Sequence, residues 1–141
     1  MASHSFIYLG VDEDIDPKWL DPNTSKYKIG QTRQTCWARC KDADYRIYAA
    51  YDFPNWLSNS SLLFLESYVR ACFCHVENAK PLRTDYFYYT GCNDIKIRDM
   101  QVEGLFKKFV QEGIEVLYHN IIKSAPVETK FYHGKVYPGE Y

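Results

Sequence analysis

Short stretches rich in β-branched and aromatic residues predict four strands along the chain. They run from Ser5 to Leu9, from Lys26 to Gly30, from Tyr45 to Phe53 and from Asp85 to Thr90. The segment between the first two strands contains two Asp-Pro pairs and several further acidic residues, which favour a loop. We therefore expect the first two strands to pair as a hairpin with a long connection.

Apolar residues spaced three and four apart predict two long helices. In the first helix these residues are Leu62, Leu65, Val69, Cys72 and Val76, and in the second they are Val102, Leu105, Phe106, Phe109 and Val110. A capping cluster at residues 59–61 precedes the first helix, the segment 79–81 ends it, and Gly113 is expected to stop the second. Thr32 is expected to cap a shorter helix from about Arg33 to Lys41.

The C-terminal part of the chain carries a weaker pattern. Ile114, Val116 and Tyr118 alternate as the residues of a strand do. The segment from Phe131 to Tyr137 predicts either a tight hairpin or an aromatic arm packed on the body. Together these elements predict an α/β domain of the α+β type, with a small central, mostly antiparallel sheet of three or more strands flanked by helices.

Composition places the 141-residue chain among globular proteins, because 46% of its residues are hydrophobic and 25% are charged. A net charge of −1 argues against a basic coat protein for nucleic acid but leaves room for a local basic groove. The apolar runs are far shorter than the roughly 20 residues of a membrane span, so we expect no membrane partner. An odd number of cysteines, five, and no visible signal peptide predict reduced thiols and a cytoplasmic location.

Four short motifs follow one another and carry the candidate chemistry. They are Phe6-Ile7-Tyr8; Tyr27-Lys28-Ile29-Gly30 followed by Gln31-Thr32-Arg33 and then Arg39; Glu66 on the first long helix; and Arg83-Thr84-Asp85-Tyr86-Phe87. Their order and spacing resemble the GIY-YIG nuclease superfamily, in particular a phage and bacterial branch whose second motif reads Lys-Ile-Gly. The resemblance implies a nuclease-like domain at residues 1–92, with a C-terminal helix and aromatic tail at 93–141 packed on the same domain.

The resemblance further implies a metal-dependent endonuclease that hydrolyses phosphodiester bonds of DNA. Tyr8 would be the base or the group that orients water, Arg39 would bind phosphate, and Glu66 would hold one divalent cation, Mg²⁺ or Mn²⁺. Lys28, Arg33 and Arg39 are the implied nucleic-acid-binding residues. The branch also implies a phage or mobile-element origin, with action in the cytoplasm of a host.

The residue types themselves suit this chemistry. Glu66 lies one turn after Leu62 and one turn before Val69, at the edge of the buried stripe. A carboxylate there needs a partner, such as a divalent cation or an arginine. A guanidinium such as that of Arg39 can bind two phosphate oxygens at once, and a phenol can deprotonate water when nearby cations favour its charged form.

The first motif has Phe6 where the family usually has glycine. Two roles have alternative residues, namely the assisting group and the phosphate contact. Lys28 replaces the tyrosine of the family's second motif, with Tyr27 one place earlier. Because successive strand residues point to opposite faces, Tyr27 and Lys28 cannot both face one cleft. The resemblance implies that Tyr27 or Lys28 assists catalysis, and alignment with the motif favours Lys28. Arg33 is an alternative to Arg39 as the phosphate contact.

Each candidate residue also has a structural interpretation, as a tyrosine in a half-buried strand, a solvated arginine or an ion-paired glutamate. Two other functions therefore stay open. One is a catalytically degraded module that binds nucleic acid or a nucleotide, and the other is a viral protein-interaction factor acting against a host defence. DNA is the expected partner. A homodimer or a host protein is a further candidate, because one small domain rarely selects a long DNA site by itself.

Overall fold

The computed structural model describes residues 5–12, 25–33, 46–53, 57–83, 86–92, 94–124 and 129–133. The strands in these ranges are β1 (Ser5–Asp12), β2 (Ser25–Thr32), β3 (Arg46–Phe53), β4 (Ala79–Arg83), β5 (Tyr86–Tyr89) and β6 (Lys130–His133). The helices are α1 (Asn59–Cys74) and α2 (Ile95–Val116), and α2 continues into a π-helical segment, Leu117–Ile122.

The six strands form one sheet in the order β4-β5-β2-β1-β3-β6, and every neighbouring pair is antiparallel. β1 lies inside the sheet and pairs with both β2 and β3. The predicted α+β fold with a central antiparallel sheet is therefore confirmed. The strands predicted as β1, β2, β3 and β5 all form. β1 continues past its predicted end at Leu9 to Asp12, and β2 runs from Ser25 to Thr32 rather than from Lys26 to Gly30.

Alternation along the strands gives the sheet two different faces. One face packs against α1 and α2 in the main core, and we call it the helix face; its residues include Ile7, Leu9, Tyr27, Ile29, Tyr51 and Phe87. The other face, which we call the far face, carries a smaller cluster made of Phe6, Tyr8, Ile47 and Ala50, with Tyr86 packed against it. Any pair of neighbouring residues in a strand is thus divided between two environments.

Helix α1 begins at a serine cap. Ser58 has an extended backbone, and its Oγ accepts a hydrogen bond from the backbone N–H of Ser61 at 3.1 Å, as N-cap serines do. The buried residues of α1 are Ser61, Leu62, Leu65, Glu66, Val69 and Phe73. Their spacing of three and four confirms the predicted helix. The helix ends at Cys74, so Val76 of the predicted stripe lies beyond it, and the predicted end at 79–81 is wrong.

Helix α2 begins earlier than its apolar stripe predicts, because an aspartate caps it. Asp94 accepts hydrogen bonds from the backbone N–H groups of Lys96 and Ile97, both at 3.0 Å. These bonds satisfy two of the donors that a helix start leaves without an intrahelical partner. The first turn of α2 is therefore fixed by a polar cap that periodicity does not reveal.

Helix α2 also continues through Gly113, so the predicted stop there is wrong. A Cβ atom at this position would lie 3.1 Å from Cδ1 of Tyr68 and 3.3 Å from Cδ2 of Leu65. The glycine thus permits a close approach of the two helices. The strand predicted from Ile114 to Tyr118 is wrong for the same reason, because these residues lie in α2 and in the π-helical segment.

Both edge strands depart from the prediction. The segment 79–81, expected only to end a helix, begins β4, where an edge position tolerates Pro81. In the C-terminal segment, Lys130–His133 forms a single strand paired with β3. The remainder of the predicted hairpin or arm lies outside the described residues, as do residues 34–41 of the predicted short helix.

Residues after position 92 share the core with those before it. Val102 and Phe106 of α2 belong to the same buried cluster as Ile7 of β1 and Leu65 of α1. The pairing of β6 with β3 completes one edge of the sheet. Neither described helix has the combination of length and apolar character that crossing a membrane requires.

Candidate functional site

Tyr8 lies on the far face of the sheet, directly across from Gly30 of β2. A Cβ atom added at Gly30 would lie 2.3 Å from both Cζ and Oη of Tyr8, well inside van der Waals contact. The phenol ring therefore covers the glycine, and a residue without a side chain is what leaves room for it. The whole side chain of Tyr8 is buried.

Lys28 shares the far face with Tyr8, two residues before Gly30 along β2. Diagonal neighbours of this kind on paired antiparallel strands lie about 7 Å apart. Lys28 is 9% exposed, and its Nζ lies 5.6 Å from the ring centroid of Tyr86 on β5. The ring quadrupole attracts the ammonium, so the charge of Lys28 is held near Tyr86 on the β5 side of β2, whereas Tyr8 lies on the β1 side.

Tyr27 points to the helix face instead. Its hydroxyl donates a hydrogen bond to Oδ1 of Asp99 on α2 at 2.5 Å, and its ring stacks on Phe87 with the centroids 5.6 Å apart. Tyr27 and Asp99 are both buried. The structure therefore brings Lys28 to the same face as Tyr8 and places Tyr27 on the other face.

Glu66 is buried on α1 and has an arginine as its partner. Its Oε1 forms an ion pair at 3.0 Å with Nη2 of Arg70, one turn later. The same Nη2 donates to the backbone carbonyl oxygen of Ile29 on β2 at 3.3 Å. The spacing of four residues between an acid and a following arginine is the sequence signal that identifies such a pair.

The carbonyl group of Ile29 lies past the described pairing of β2 with β5, in the stretch from Ile29 to Thr32 that we call the open edge of β2. Strand β5 pairs with β2 only from Ser25 to Lys28. Within the described part of the chain, no strand follows Lys28 on that side. Arg70 of α1 takes the place of a neighbouring strand at Ile29, because its guanidinium satisfies the carbonyl group.

Arg33 marks the other end of this open edge. Its Nε donates to Oδ1 of Asn59 and its Nη1 donates to Oγ of Ser5, both at 2.7 Å. Its Nη2 donates to the carbonyl oxygen of Leu57. The guanidinium thus ties the end of β2 to β1 and to the start of α1. The predicted contact of Arg33 with phosphate stays a prediction.

The two anchors determine how α1 runs along β2. The helical rise from Asn59 to Arg70 is about 16 Å, and the strand length from Arg33 back to Ile29 is about 13 Å. Helix α1 packs on the helix face of the sheet, over β2 and β1, and the two anchors attach it to both ends of this stretch of β2. Glu66, one turn before Arg70, therefore lies on the helix-face side of β2, whereas the ring of Tyr8 covers Gly30 on the far face.

Some of the predicted contributors lie outside the described residues. Arg39 is one of them, and Thr84 and Asp85 of the fourth motif are others. The position of Arg39 relative to Tyr8 and Glu66 therefore stays a prediction. Tyr8 itself lies on the far face, whereas Glu66 lies on α1, which packs on the helix face.

The open edge of β2 offers a single carboxylate to a cation. No group of three His, Cys, Asp or Glu side chains within the described ranges could hold a metal ion. Mg²⁺ is usually held by one or two carboxylates together with water and substrate phosphates. A cation at Glu66 would compete with Arg70 for Oε1.

A cleft of about 700 Å³ lies elsewhere, between α2 and strands β3 and β6. Its walls include Tyr48, Asp99, Met100, Glu103, Lys107 and His133. His133 contacts Glu103 through Nδ1 and packs edge-on against Tyr48, with ring centroids 5.4 Å apart. The motifs do not point to this cleft, because its residues come from three separate stretches of the chain.

No protein-family model, curated protein or solved structure matches the chain. The arrangement at the open edge of β2 and the resemblance of the motifs are therefore the two supports for a functional proposal.

Proposed function

We propose that this chain is a metal-dependent endonuclease that hydrolyses phosphodiester bonds of DNA. The observation that carries the proposal is that Tyr8 and Lys28 share the far face of the sheet, while Glu66 of α1 lies on the helix-face side of the same strand, β2. The resemblance to the GIY-YIG superfamily assigns catalytic roles to these positions. The same resemblance supports a phage or mobile-element origin and action in the cytoplasm of a host.

Tyr8 is the residue that would orient or deprotonate the attacking water. Burial disfavours the charged form of a phenol, and a nearby positive charge favours it. Lys28, the diagonal neighbour of Tyr8, supplies such a charge from the same face. The mechanism therefore uses Lys28 as the assisting group. The hydroxyl group of Tyr27 instead donates a hydrogen bond to Asp99 on the helix face.

Glu66 is the residue that would hold the cation. A bound Mg²⁺ or Mn²⁺ supplies charge neutralisation at the phosphate and at the leaving oxygen. Arg70 fixes the orientation of the Glu66 carboxylate through the ion pair at 3.0 Å. Arg39 would add two donors to the phosphate oxygens, as its guanidinium geometry allows.

A plasmid-nicking assay with Mg²⁺ or Mn²⁺ tests the proposal. We expect the wild-type protein to convert supercoiled DNA to the open circle. We expect Tyr8→Phe, Arg39→Ala and Glu66→Gln each to lower the nicking rate about a hundredfold or more, the usual effect of removing a base or a charge stabiliser. A wild-type protein that nicks DNA with neither metal would contradict the proposal.

Arg70→Gln is the matched control for Glu66→Gln. Both substitutions remove the ion pair, but only Glu66→Gln removes the carboxylate. If Glu66 binds the cation, Arg70→Gln keeps its nicking activity at saturating Mn²⁺ and Glu66→Gln does not. Equal losses of activity and of thermal stability in the two variants would show a structural pair and would contradict the role in metal binding.

Two observations favour one alternative, a module that binds nucleic acid without cleaving it. Tyr8 is fully buried, and the carboxylate of Glu66 already has an arginine partner. In that case the wild-type protein would shift the mobility of DNA in a gel, more weakly at high salt, and would leave the DNA intact at every metal concentration. A wild-type protein that neither nicks DNA nor shifts its mobility would favour the interaction factor instead.

A further inference from the structure

The far face of the sheet carries a distinct set of side chains where β2, β5 and β4 lie side by side. They are Lys26 and Lys28 of β2, Tyr86 and Tyr88 of β5, and Lys80 of β4. Each of them is followed or preceded in its strand by a residue buried on the helix face, so all five lie on the side away from α1 and α2. We call these five residues the lysine–tyrosine platform.

Strand register arranges the platform in two rows. Lys26, Tyr88 and Lys80 are paired across three strands, and Lys28 pairs with Tyr86 one step along. Because neighbouring strands lie about 4.8 Å apart, the Cα atoms of Lys26 and Lys80 are about 10 Å apart. The ammonium groups of Lys26 and Lys28 lie 5.0 and 5.6 Å from the ring centroid of Tyr86.

The platform is positively charged in a chain whose net charge is −1. Strands β2, β4 and β5 together contain three lysines, one arginine and no aspartate or glutamate. Asp12 of the adjacent strand β1 pairs in register with Lys26, so Lys80 and Lys28 carry most of the positive charge. Lys80 is exposed, and Lys26, Tyr86 and Tyr88 are partly exposed. A concentrated positive surface with accessible aromatic rings complements a polyanion whose bases can stack.

We propose that the lysine–tyrosine platform binds the phosphodiester backbone of a DNA strand, with a base stacked on Tyr88. The exposed ammonium group of Lys80 can donate hydrogen bonds to phosphate oxygens. Tyr88 lies between Lys26 and Lys80, so a base on its ring would have a cation on either side. The inference rests on the proposed function for its choice of DNA, and it names the surface that would hold the substrate.

The platform leads directly to the candidate site. Lys28 pairs with Tyr86 at one end of the platform and is the diagonal neighbour of Tyr8. From Lys80 on β4 to Tyr8 on β1, the path crosses three strand spacings, about 14 Å, and runs four residues along the strands, about 13 Å, so the two residues are about 20 Å apart. That distance corresponds to roughly six base steps of 3.4 Å. A short oligonucleotide can therefore contact the platform and approach Tyr8 at the same time.

Fluorescence anisotropy of a labelled oligonucleotide with the full chain in EDTA tests this inference without requiring cleavage. The test variants are Lys80→Glu, alone and combined with Lys26→Glu. Lys108→Glu is the matched control, because it makes the same change of charge at an exposed residue of α2, on the helix side of the sheet. We expect about a tenfold loss of affinity for Lys80→Glu at low salt, a larger loss for the pair, and less than about a twofold loss for the control.

Two further measurements identify what the platform binds. Lys80→Ala should lower the slope of log affinity against log salt by about 0.7 to 0.9, the value expected for one lost phosphate contact. Tyr88→Leu should weaken binding of the single strand more than that of the duplex, whereas Tyr88→Phe should leave both unchanged because the ring is kept. Equal effects of Tyr88→Leu and Tyr88→Phe on the single strand would overturn the stacking contact.

The outcomes also separate this inference from the proposed function. If the platform variants lose DNA binding and the wild-type protein never nicks DNA, the platform stands and the endonuclease does not. If nicking occurs and the platform variants bind and nick like the wild type, the platform is overturned and the endonuclease stands. Equal losses in Lys80→Glu and Lys108→Glu, or tighter binding to an acidic peptide than to DNA, would also overturn the platform.

Discussion

The hydroxyl group of Tyr27 on β2 donates a hydrogen bond to the carboxylate of Asp99 on α2, 72 residues further along the chain. Both side chains are buried, Tyr27 completely. Hydrogen bonds to a charged acceptor are stronger than those between neutral groups. The bond therefore ties the sheet to the second helix within the core, and it gives Tyr27 a structural role on the face opposite Tyr8.

We predict that Tyr27→Phe lowers the free energy of unfolding by about 1 to 3 kcal/mol, because it removes a donor from the buried carboxylate of Asp99. Urea unfolding measures this loss. At a temperature where both variants are folded, Tyr27→Phe should keep the nicking or DNA-binding activity of the wild type, whereas Tyr8→Phe should not. Loss of activity in folded Tyr27→Phe would return Tyr27 to the candidate site.

The packing of Tyr8 on Gly30 gives a second prediction. Gly30→Ala should lower stability by about 1 to 3 kcal/mol, because its Cβ would lie 2.3 Å from a fully buried ring and the packed interior cannot absorb the overlap without moving. Thermal unfolding measures the cost. In a double-mutant cycle, Tyr8→Leu should relieve much of that cost, so the two substitutions should be strongly non-additive. Simple additivity would show that the ring does not press on this position.

The elements with regular spacing were the ones that the sequence could predict. Helix α1 forms over the stripe from Leu62 to Phe73, and the strands around Tyr8 and Lys28 alternate as expected. The errors come from residues whose role depends on a distant neighbour. Gly113 resembles a helix stop, but it is a contact point for Tyr68 of another helix. The segment 79–81, which was predicted only to end a helix, forms the start of β4 because β5 pairs with it.

Within the candidate site, the sequence could predict only how residues close together along the chain are placed relative to each other. Opposite orientations of Tyr27 and Lys28 follow from the period of a strand. The pairing of Glu66 with Arg70 follows from helical spacing, although the sequence left a cation as an equal alternative. The bond from Tyr27 to Asp99 joins positions that no short-range pattern connects, because it depends on where α2 packs on the sheet.

Gly104 provides a prediction on stability alone. It lies in the middle of α2, is exposed, and has nothing within 4 Å of the place where a Cβ atom would be. Gly104→Ala should therefore raise the free energy of unfolding by about 0.5 to 1 kcal/mol, because alanine restricts the unfolded chain and favours the helix. Urea unfolding measures the gain. A destabilised Gly104→Ala variant would mean that this surface of α2 is covered in solution.

Tyr51 of β3 carries a buried hydroxyl group on the helix face. The side chain is 3% exposed, and its ring packs on Phe131 and Phe106 at centroid distances of 4.9 and 5.8 Å. Within the described part of the chain, its Oη makes no hydrogen bond of good geometry, although the side chain of Gln111 lies close enough to interact with it. A desolvated hydroxyl without a hydrogen bond of good geometry is costly, so Tyr51→Phe should raise stability at neutral pH by about 1 kcal/mol.

The same hydroxyl group predicts a specific loss of stability in alkali. Burial raises the pKa of Tyr51 above its ordinary value of 10.0, and the negative charge of Glu103 acts in the same direction. Above pH 10 the phenol therefore ionises in the unfolded chain before it does so in the folded one, so the unfolded state binds fewer protons and stability falls as pH rises. The stability advantage of Tyr51→Phe over the wild type should widen from pH 10 upward, as measured by urea unfolding across that range. A constant difference between the two proteins would show that Tyr51 ionises equally in both states.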